Sequence, residues 1–479
     1  MKIFTDLTKN VEFLKKELPS SDVNFRSVKA GDKDGCIIFV KDMTDVKGVG
    51  NLIITPLHEL KGEVSLKTVS DALYSPEKKQ TEDMNALISE IVNGNTALII
   101  DGFSTAFSFG LKNFEKRPIS EPPTSAVIKG PREGFVESLP VNISLMRRRL
   151  KTSDLIFENL EVGKFSKTQI SLCYIRNLAD KGLVESVKRK IQNMNIEAAL
   201  DSSYISKYLG EHKASLFKQV GNTEKPDILT AKILEGRVAV FVDGSPIVLT
   251  VPYLLVEDFQ SPSDYYSSAY SATFSRLLRL ISVMISILVP AFYVAAELFH
   301  LQLIPLSFLI TIVNGIKGIP LSPSYEMFFT LLIFEILNET SVRMPKYVGM
   351  VVSIVGGLVL GETAVNAGII SAPTLMIVAL SGICLYTVPE LEQSFSNLRL
   401  IFLIIGGSLG GYALLVACAG ALIYLVSFEN YSTPLMAPYA PLVKEDLKDG
   451  FIKNDLVDVH VKPLSLKRGG KGKIDKGEL

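Results

Sequence analysis

Long apolar runs and a near absence of charge set residues 277–427 apart from the rest of the chain. A helix needs about 20 apolar residues to cross the hydrocarbon core of a bilayer, where every backbone polar group must bond internally. The runs 277–299, 348–370 and 398–427 reach that length, and the shorter run 372–388 comes close to it. We therefore predict an integral membrane protein with four full spans.

Two further apolar segments lie between the first and second predicted spans. Residues 303–313 are too few to span and end at Asn314, Gly315 and Gly318, which is typical of a broken or re-entrant helix. Residues 325–342 carry three glutamates, so this segment is amphipathic and needs protein or water on one face. An irregular pair of segments is the prediction here.

The first 270 residues alternate strand-like and helix-like pieces and contain an internal repeat. Residues 91–104 match 233–246 at an offset of 142, and residues 37–45 resemble 172–180 at an offset of 135. The predicted fold class is α+β with a membrane part: tandem duplicated cytoplasmic α/β domains are followed by a polytopic α-helical transmembrane domain.

Changes in composition divide the chain into four parts. Residues 1–116 are predicted as the first cytoplasmic α/β domain, and 117–270 as the second, with a Pro/Gly-rich entry segment. The transmembrane domain covers 271–430. Residues 431–479 form a basic cytoplasmic tail, which from Lys462 onward we expect to be disordered and to bind anionic membrane lipid weakly.

Each copy of the repeat places an Asp-Gly pair between two apolar strands, with aspartates at Asp101 and Asp243. Glycine supplies the positive φ that a tight hairpin turn requires. A catalytic role for the two aspartates is the alternative, but the turn accounts for both the residue types and their spacing. The usual phosphate-binding, dinucleotide-binding, zinc-protease and nucleophile motifs are absent, and the cysteines and histidines are scattered singly. We therefore predict that the protein is not an enzyme and has no cofactor and no metal site.

Charge indicates the compartment and the topology. The formal net charge is zero, so no overall basic field favours nucleic acid as a partner. The N-terminal segment lacks the apolar core of a signal peptide, which places the first 270 residues in the cytoplasm. Basic residues precede the first span and follow the last, so we expect cytoplasmic N- and C-termini and an even number of crossings, either four or six.

Three consecutive arginines, Arg147, Arg148 and Arg149, follow the entry segment. Such a run is able to bind phosphate or lipid headgroups, or to pair with acidic residues of a neighbouring subunit. Consecutive positions on a helix point in different directions, so a single phosphate cradle is not expected. The sequence favours a packing or interface role for these arginines.

Polar groups share one face of the second predicted span. Glu362 and Asn366 lie four residues apart there. Steps of one helical turn towards the N-terminus add Val359 and then Val355 to the same face. The predicted pore or gate face comprises Val355, Val359, Glu362 and Asn366. A ring of these side chains would be an apolar constriction beside a cation-favouring ring. The alternative is that Glu362 pairs with Arg343 or with another chain.

Glutamates and an arginine also make a stripe at helical spacing, formed by Glu335, Glu339 and Arg343. The prediction for this stripe is a subunit interface, with pore lining as the alternative. Small residues at four-residue spacing let helices approach closely. On that basis helix packing is predicted at Gly357, Gly361, Gly406 and Gly410.

Five motifs in a fixed order resemble one protein family. They are GPxxxFxE at 130–137, NxxLxRxR at 142–149, GRVAVFVDGSPIVLTVP at 236–252, QSPSDYY at 260–266 and the run 343–371. In this order they are similar to the A subunits of the bacterial spore germinant receptors, a family that includes a related stage V sporulation membrane protein. The resemblance covers nearly the whole chain, and it adds Asp264 of QSPSDYY to Arg147 and Arg149 as candidate interface or coupling residues.

The resemblance implies a location, partners and a role. The location is the inner spore membrane, and the partners are a transporter-like B subunit and a lipoprotein C subunit. A subunits are expected to form a homo-oligomeric ring, with a pentamer as the expected size, around an ion pore that links nutrient sensing to germination. Glu362 departs from the family pattern, which more often has glutamine there, and this bears on the charge of the pore.

Our hypothesis from the sequence is a gated cation channel built from several copies of this chain, with nutrient recognition mainly in the B subunit. Three alternatives stay open. The related sporulation protein would amplify an ion signal, a scaffold would conduct nothing, and a secondary transporter would require inverted repeats in the membrane half.

Overall fold

The computed structural model describes the chain apart from residues 61, 63, 74, 76, 114–129, 213–214, 346–347, 350, 352–353, 355, 455–462 and 467–479; of residues 308, 342, 359 and 360 it describes the backbone alone. Two five-stranded antiparallel sheets precede a helical half that begins at Pro262. Most of the predicted entry segment and the end of the predicted tail lie outside the described residues.

The first sheet has the strand order β1-β2-β4-β5-β3. Its strands are β1 Val23–Ala30, β2 Lys33–Val40, β3 Lys78–Thr81, β4 Thr96–Ile100 and β5 Ala106–Phe109. The helices of this unit are α1 Leu7–Glu17, α2 Val46–Val49, α3 Thr55–Glu59, α4 Leu66–Ala72 and α5 Met84–Val92. Helices α1 and α5 cover one face of the sheet, and α2 to α4 cover the other. Strand β4 is buried on both faces, which explains its continuous apolar sequence.

The second sheet repeats this order as β6-β7-β9-β10-β8. Its strands are β6 Leu155–Val162, β7 Thr168–Ile175, β8 Gly221–Thr223, β9 Val238–Val242 and β10 Val248–Val251. Its helices are α6 Leu139–Arg149, α7 Lys181–Gln192, α8 Ser202–Leu209 and α9 Pro226–Leu234. Here α6 and α9 cover one face, and α7 and α8 cover the other. The repeat in the sequence therefore corresponds to two sheets with one strand order.

The two Asp-Gly turns make the same contact in each unit. A carboxylate oxygen of Asp101 accepts the backbone N–H of Leu7 at 3.0 Å, and that of Asp243 accepts the N–H of Leu139 at 3.1 Å. The glycine after each aspartate has a φ of +81° or +87°, a conformation that glycine adopts without steric cost. Each aspartate thus joins its hairpin to the first residue of α1 or α6.

A second matched contact was not predicted from the sequence. The side chain of Asn10 both accepts the N–H of Phe4, at 2.9 Å, and donates to its carbonyl, at 2.6 Å. Asn142 does the same with Val136, at 2.9 and 2.6 Å. Both asparagines are buried, so these pairs satisfy backbone groups that would otherwise lack a partner. The duplication therefore extends to the chain entering each unit.

The helical half contains α10 Pro262–Tyr265, α11 Ala269–Phe299, α12 Leu306–Ile316, α13 Pro323–Arg343, α14 Gly361–Asn366, α15 Ala372–Leu385 and α16 Glu392–Ser427. Within the described residues, two helical stretches are long and apolar enough to cross a membrane, Ala269–Phe299 and Pro389–Ser427. The predicted short span is the apolar but shorter helix α15, and the predicted span 348–370 includes residues outside the described part. The short helix α12 occupies the segment that was predicted to be a broken or re-entrant helix.

Helix α16 is a hairpin of two helical arms that meet at Gly410. This glycine has φ +82° and ψ −173°, which no helix contains. The ring of Phe217 lies 6.3 Å from Phe395 and 6.2 Å from Tyr424, although a straight helix would separate the last two by roughly 43 Å. The single predicted span 398–427 is therefore wrong: the chain reverses inside it.

The helices of this half run alternately away from the sheets and back. Arm 392–409 lies antiparallel to α13, because Ser324 contacts Gly407 at 2.9 Å and Asn338 contacts Glu392 at 2.6 Å. The segment that leads into α14 faces α13 at Gly356 and α15 at Gly361. Both ends of α16 lie next to the second unit, because Phe217 of that unit contacts Phe395 near the start and Tyr424 near the end of the helix.

The first part of the predicted tail is folded against the second unit. Strands β11 Glu429–Asn430 and β12 Thr433–Pro434 form a short hairpin, and Leu435, which follows it, is fully buried. The N–H of Leu255 donates to the carbonyl of Leu435 at 3.0 Å. The predicted tail therefore begins with a folded segment, since apolar residues after the last arm complete a core.

Candidate functional site

The N-terminal part of α11 is surrounded by charged groups from three parts of the chain. Asp264 binds Arg279 through both carboxylate oxygens, at 2.7 and 2.9 Å, and also contacts Arg276 at 3.3 Å. Arg276 in turn binds Asp449 of the C-terminal segment at 3.0 Å. Arg276 and Asp264 are 0% and 3% exposed, so each charge depends on its partners. We name Asp264, Arg276, Arg279 and Asp449 the α11 junction.

Lys453 and Tyr265 complete the α11 junction. Lys453 donates to the carbonyl oxygen of Asp264 at 2.7 Å, and the hydroxyl of Tyr265 donates to Asp449 at 2.8 Å. Burial would raise the pKa of Asp264, but hydrogen bonds from Arg279 and from the Ser261 amide outweigh it, and the pKa is lowered. The carboxylate therefore stays charged and ties α10 to α11.

A second connection joins the second sheet to the start of α16. Lys218 binds Glu390 at 2.8 Å, Asn222 at 2.6 Å and the carboxylate of Asp258 at 3.5 Å. Burial would lower the pKa of Lys218, but Asp258 and Glu390 outweigh it and raise that pKa. The hydroxyl of Tyr253 donates to Asp258 at 2.6 Å. We name Lys218, Glu390, Asp258 and Tyr253 the α16 junction.

Beside the α16 junction lies a group of four charges, of which Glu257 and Arg237 are the most buried. Glu257 binds Lys232 at 2.7 Å and also pairs with Arg237, which binds Glu235 at 2.9 Å. Burial would raise the pKa of Glu257, but the charges of Arg237 and Lys232 outweigh it and lower that pKa to about 2. Because Glu257 follows β10 and Lys232 lies on α9, the pair fixes the segment that leads to the helical half.

Arg147 joins the two units inside one chain. Its guanidinium donates to both oxygens of Asp22, at 2.8 and 2.9 Å, and to Ser20 at 2.8 Å. Arg147 and Asp22 are 1% and 3% exposed. Arg149 binds Glu133 at 2.8 Å. The sequence favoured a packing or interface role for these arginines, and the acidic partners of Arg147 and Arg149 lie in the same chain, where α6 contacts the residues just before β1.

The predicted stripe on α13 divides between two environments. Glu335 turns inward and pairs with Arg399 of the first α16 arm, and Ser396 donates to the same carboxylate. Arg399 is fully buried and donates to Ser381 of α15 at 2.8 Å. Because of these contacts, Glu335 belongs to a network within the chain.

Glu339 and Arg343, the other two members of the stripe, pair with each other on an exposed surface, where their side chains are 63% and 77% accessible. Arg399 was not selected from the sequence. The signal was available, since a lone arginine inside an apolar run needs a partner.

The predicted pore face is described only in part. Val355 lies outside the described residues, and the side chain of Val359 is not described. Glu362 and Asn366 are both exposed on α14. Within the described part of the chain Glu362 makes no ion pair. Arg343, which was predicted as an alternative partner of Glu362, binds Glu339 instead.

The four predicted packing glycines differ in what they contact. A Cβ at Gly406 would come within 3.0 Å of the Ala291 carbonyl, and one at Gly361 within 3.2 Å of the Leu375 side chain. Gly410 makes the turn of the α16 hairpin and contacts the Phe299 ring. At Gly357 nothing described lies within 4 Å, so this position makes no close packing contact within the described subunit.

Comparison with known proteins gives one consistent family. A family model for the Bacillus/Clostridium GerA spore germination protein matches residues 11–465. Spore germination protein KA of Bacillus subtilis (strain 168) is 35% identical over 461 residues, which cover 94% of this chain and 85% of that protein. Spore germination protein GerLA of Bacillus cereus is 32% identical over 449 residues, with 92% and 91% covered.

One solved structure is also similar to part of the chain. It is the N-terminal domain of the A subunit of the Bacillus megaterium spore germinant receptor GerK3, which is 26% identical. The alignment covers 53% of this chain and 98% of that domain, with a TM-score of 0.43.

Proposed function

The chain belongs to the GerA family of Bacillus and Clostridium spore germination proteins, and we propose that it is the A subunit of a nutrient germinant receptor. Several copies, five in the expected ring, would surround a gated cation channel. The channel would open when nutrient binds and would release ions at the start of germination. The chain would lie in the inner spore membrane with both termini in the cytoplasm.

We propose six crossings in place of the four that the sequence suggested. Each arm of α16 is long enough, at about 26 Å, to cross most of a hydrocarbon core. Helices α11, α13 and α15 and the segment that ends in α14 would supply the other four. This count is even, which agrees with basic residues at both ends of the helical half. Helix α12 is too short to cross and would enter from the far side.

The observation that carries the channel proposal is the exposure of Glu362 and Asn366 on α14. A charged side chain is costly in lipid unless it faces water or a partner, and no described residue of the same subunit pairs with Glu362. Placing α14 of each copy around a common axis would give both side chains a water-filled path. A ring of carboxylates there would favour cations over anions.

The two junctions offer a route by which a partner could act on the channel. A transporter-like B subunit and a lipoprotein C subunit are the expected partners. The α11 and α16 junctions tie the second unit to helices that pack against α13 and α15. A movement of the second unit would open the channel only if its contacts differ in energy between the closed and open states.

The test is conductance of the purified protein in planar bilayers. Native mass spectrometry first establishes whether it forms a discrete ring. Wild type is then compared with Glu362→Gln and Val359→Ala, and with Glu429→Gln, an exposed position beyond the last arm, as the matched control.

We expect lower cation preference for Glu362→Gln, a leak for Val359→Ala and wild-type currents for Glu429→Gln. Equal conductance and ion preference in all four proteins would contradict the proposed pore face. A monomer that conducts nothing would favour the scaffold.

A further inference from the structure

Tyr293 has a buried hydroxyl without a hydrogen bond in the described structure. The residue is 7% exposed, and its oxygen is inaccessible to solvent. Tyr293 and Glu297 lie one helical turn apart on α11, which places them on the same face. The Tyr293 ring packs against residues of α13 and α15, and its hydroxyl lies close to Glu297, Glu326 and Thr374. An unpaired buried hydroxyl is costly, so its orientation requires an explanation.

Glu326 lies beside this hydroxyl and is 1% exposed. One of its carboxylate oxygens accepts hydrogen bonds from the amide and the hydroxyl of Ser371, both at 2.7 Å. The Ser371 hydroxyl is also 2.9 Å from that of Thr374. No described hydrogen bond involves the second carboxylate oxygen of Glu326, and none of the described ion pairs includes Glu326 or Glu297.

Two carboxylates and two hydroxyls therefore converge between α11, α13 and α15, close to the far end of α11. Glu326 is buried and Glu297 is half-buried, and two such carboxylates close together repel each other unless a positive charge lies between them. Oxygen atoms from carboxylates and hydroxyls are the ligands that hard cations prefer. We propose that Glu326, Glu297, Tyr293 and Thr374 bind one hard metal cation inside each subunit. This site is separate from the exposed face that carries Glu362, so it does not depend on the proposed channel.

The test is thermal unfolding of the purified full-length protein in detergent. Potassium, sodium and calcium chloride are compared with N-methylglucamine chloride at matched ionic strength. At least one of these three metal cations should raise the unfolding midpoint in a concentration-dependent manner, because a ligand that binds only the folded state stabilises it. Glu326→Gln should abolish this shift. Tyr293→Phe should raise the half-maximal cation concentration about tenfold, through loss of one ligand.

Matched controls are Tyr325→Phe and Glu339→Gln, which make the same chemical changes at exposed positions of α13. Both should keep the wild-type response. If Glu326→Gln does not fold, then Glu297→Gln and Tyr293→Phe decide the question. Equal midpoints in all four salts would overturn the site, as would a wild-type shift that persists in these variants. Stabilisation by acid alone, without any cation effect, would mean a shared proton and would also overturn it.

Discussion

Lys218 in the second unit and Glu390, two residues before α16, form a 2.8 Å ion pair that joins the second unit to the helical half. The pair is unequal, because the side chain of Lys218 is 17% exposed and that of Glu390 is 48% exposed. Lys218 also neutralises Asp258, whose burial raises its pKa. Replacement of the lysine should therefore affect stability more than replacement of the glutamate.

Replacing Lys218 should cost more stability than replacing Glu390. We expect Lys218→Met to lower the free energy of unfolding by about 1–3 kcal/mol, because it leaves buried Asp258 without its cation. Glu390→Gln should cost under about 1 kcal/mol, since an exposed ion pair is screened by solvent. Thermal unfolding of the purified protein provides the comparison, and a larger effect at Glu390 would contradict this assignment.

Removal of Arg147 should destabilise the contact between the two units. Arg147→Ala leaves the buried Asp22 uncompensated, so we expect a loss of about 3–5 kcal/mol. The matched control is Arg149→Ala, whose partner Glu133 is 28% exposed. That change should cost about 1 kcal/mol or less. Chemical denaturation followed by a probe in each unit measures both, and equal losses would argue against a special role for Arg147.

Gly410 should not tolerate a side chain. Its φ of +82° is strained for alanine, and a Cβ there would lie 3.0 Å from the Phe299 ring. We expect Gly410→Ala to reduce stability by at least about 1–2 kcal/mol. Gly420, in the second arm, has nothing within 4 Å of a built Cβ, so Gly420→Ala should be neutral or stabilise by up to about 1 kcal/mol. The midpoint of thermal unfolding in detergent distinguishes them, and a neutral Gly410→Ala would disprove the hairpin turn.

Stability should depend on pH through Glu257. Its pKa falls from an ordinary value of 4.5 to about 2 in the folded protein. A lowered pKa contributes stability that is complete above the ordinary pKa and is lost as the pH falls towards the folded value. The difference in unfolding free energy between wild type and Glu257→Gln should therefore be constant near neutral pH and shrink from pH 4.5 to 2.

Glu12→Gln, on the exposed side of α1, is the control for the Glu257 comparison and should follow the wild-type curve. Denaturant titrations over this pH range provide the data. A difference for Glu257→Gln that stays constant down to pH 2 would show that the ion pairs with Arg237 and Lys232 do not carry the effect.

Local patterns in the sequence were enough to predict the two sheets. Apolar runs around Asp101 and Asp243, at a fixed offset, specify hairpins, because strand length and turn chemistry are properties of neighbouring residues. The apolar composition of α11 and α16 likewise marks them as candidates to cross a membrane. Asn10 and Asn142 each bond to a residue six positions earlier in the chain, so these contacts are also local in sequence.

Only the tertiary structure decided where the helical half reverses and which charges meet. From the sequence, the glycines at 406–411 are equally compatible with close helix packing and with a turn. The structure shows a turn, because Phe217 contacts both Phe395 and Tyr424. The carboxylate partners of Arg147 and Arg399 lie more than 60 residues away along the chain. Short-range patterns carry no information about such distant pairs, because burial of a charge is determined by the packing of whole helices and sheets.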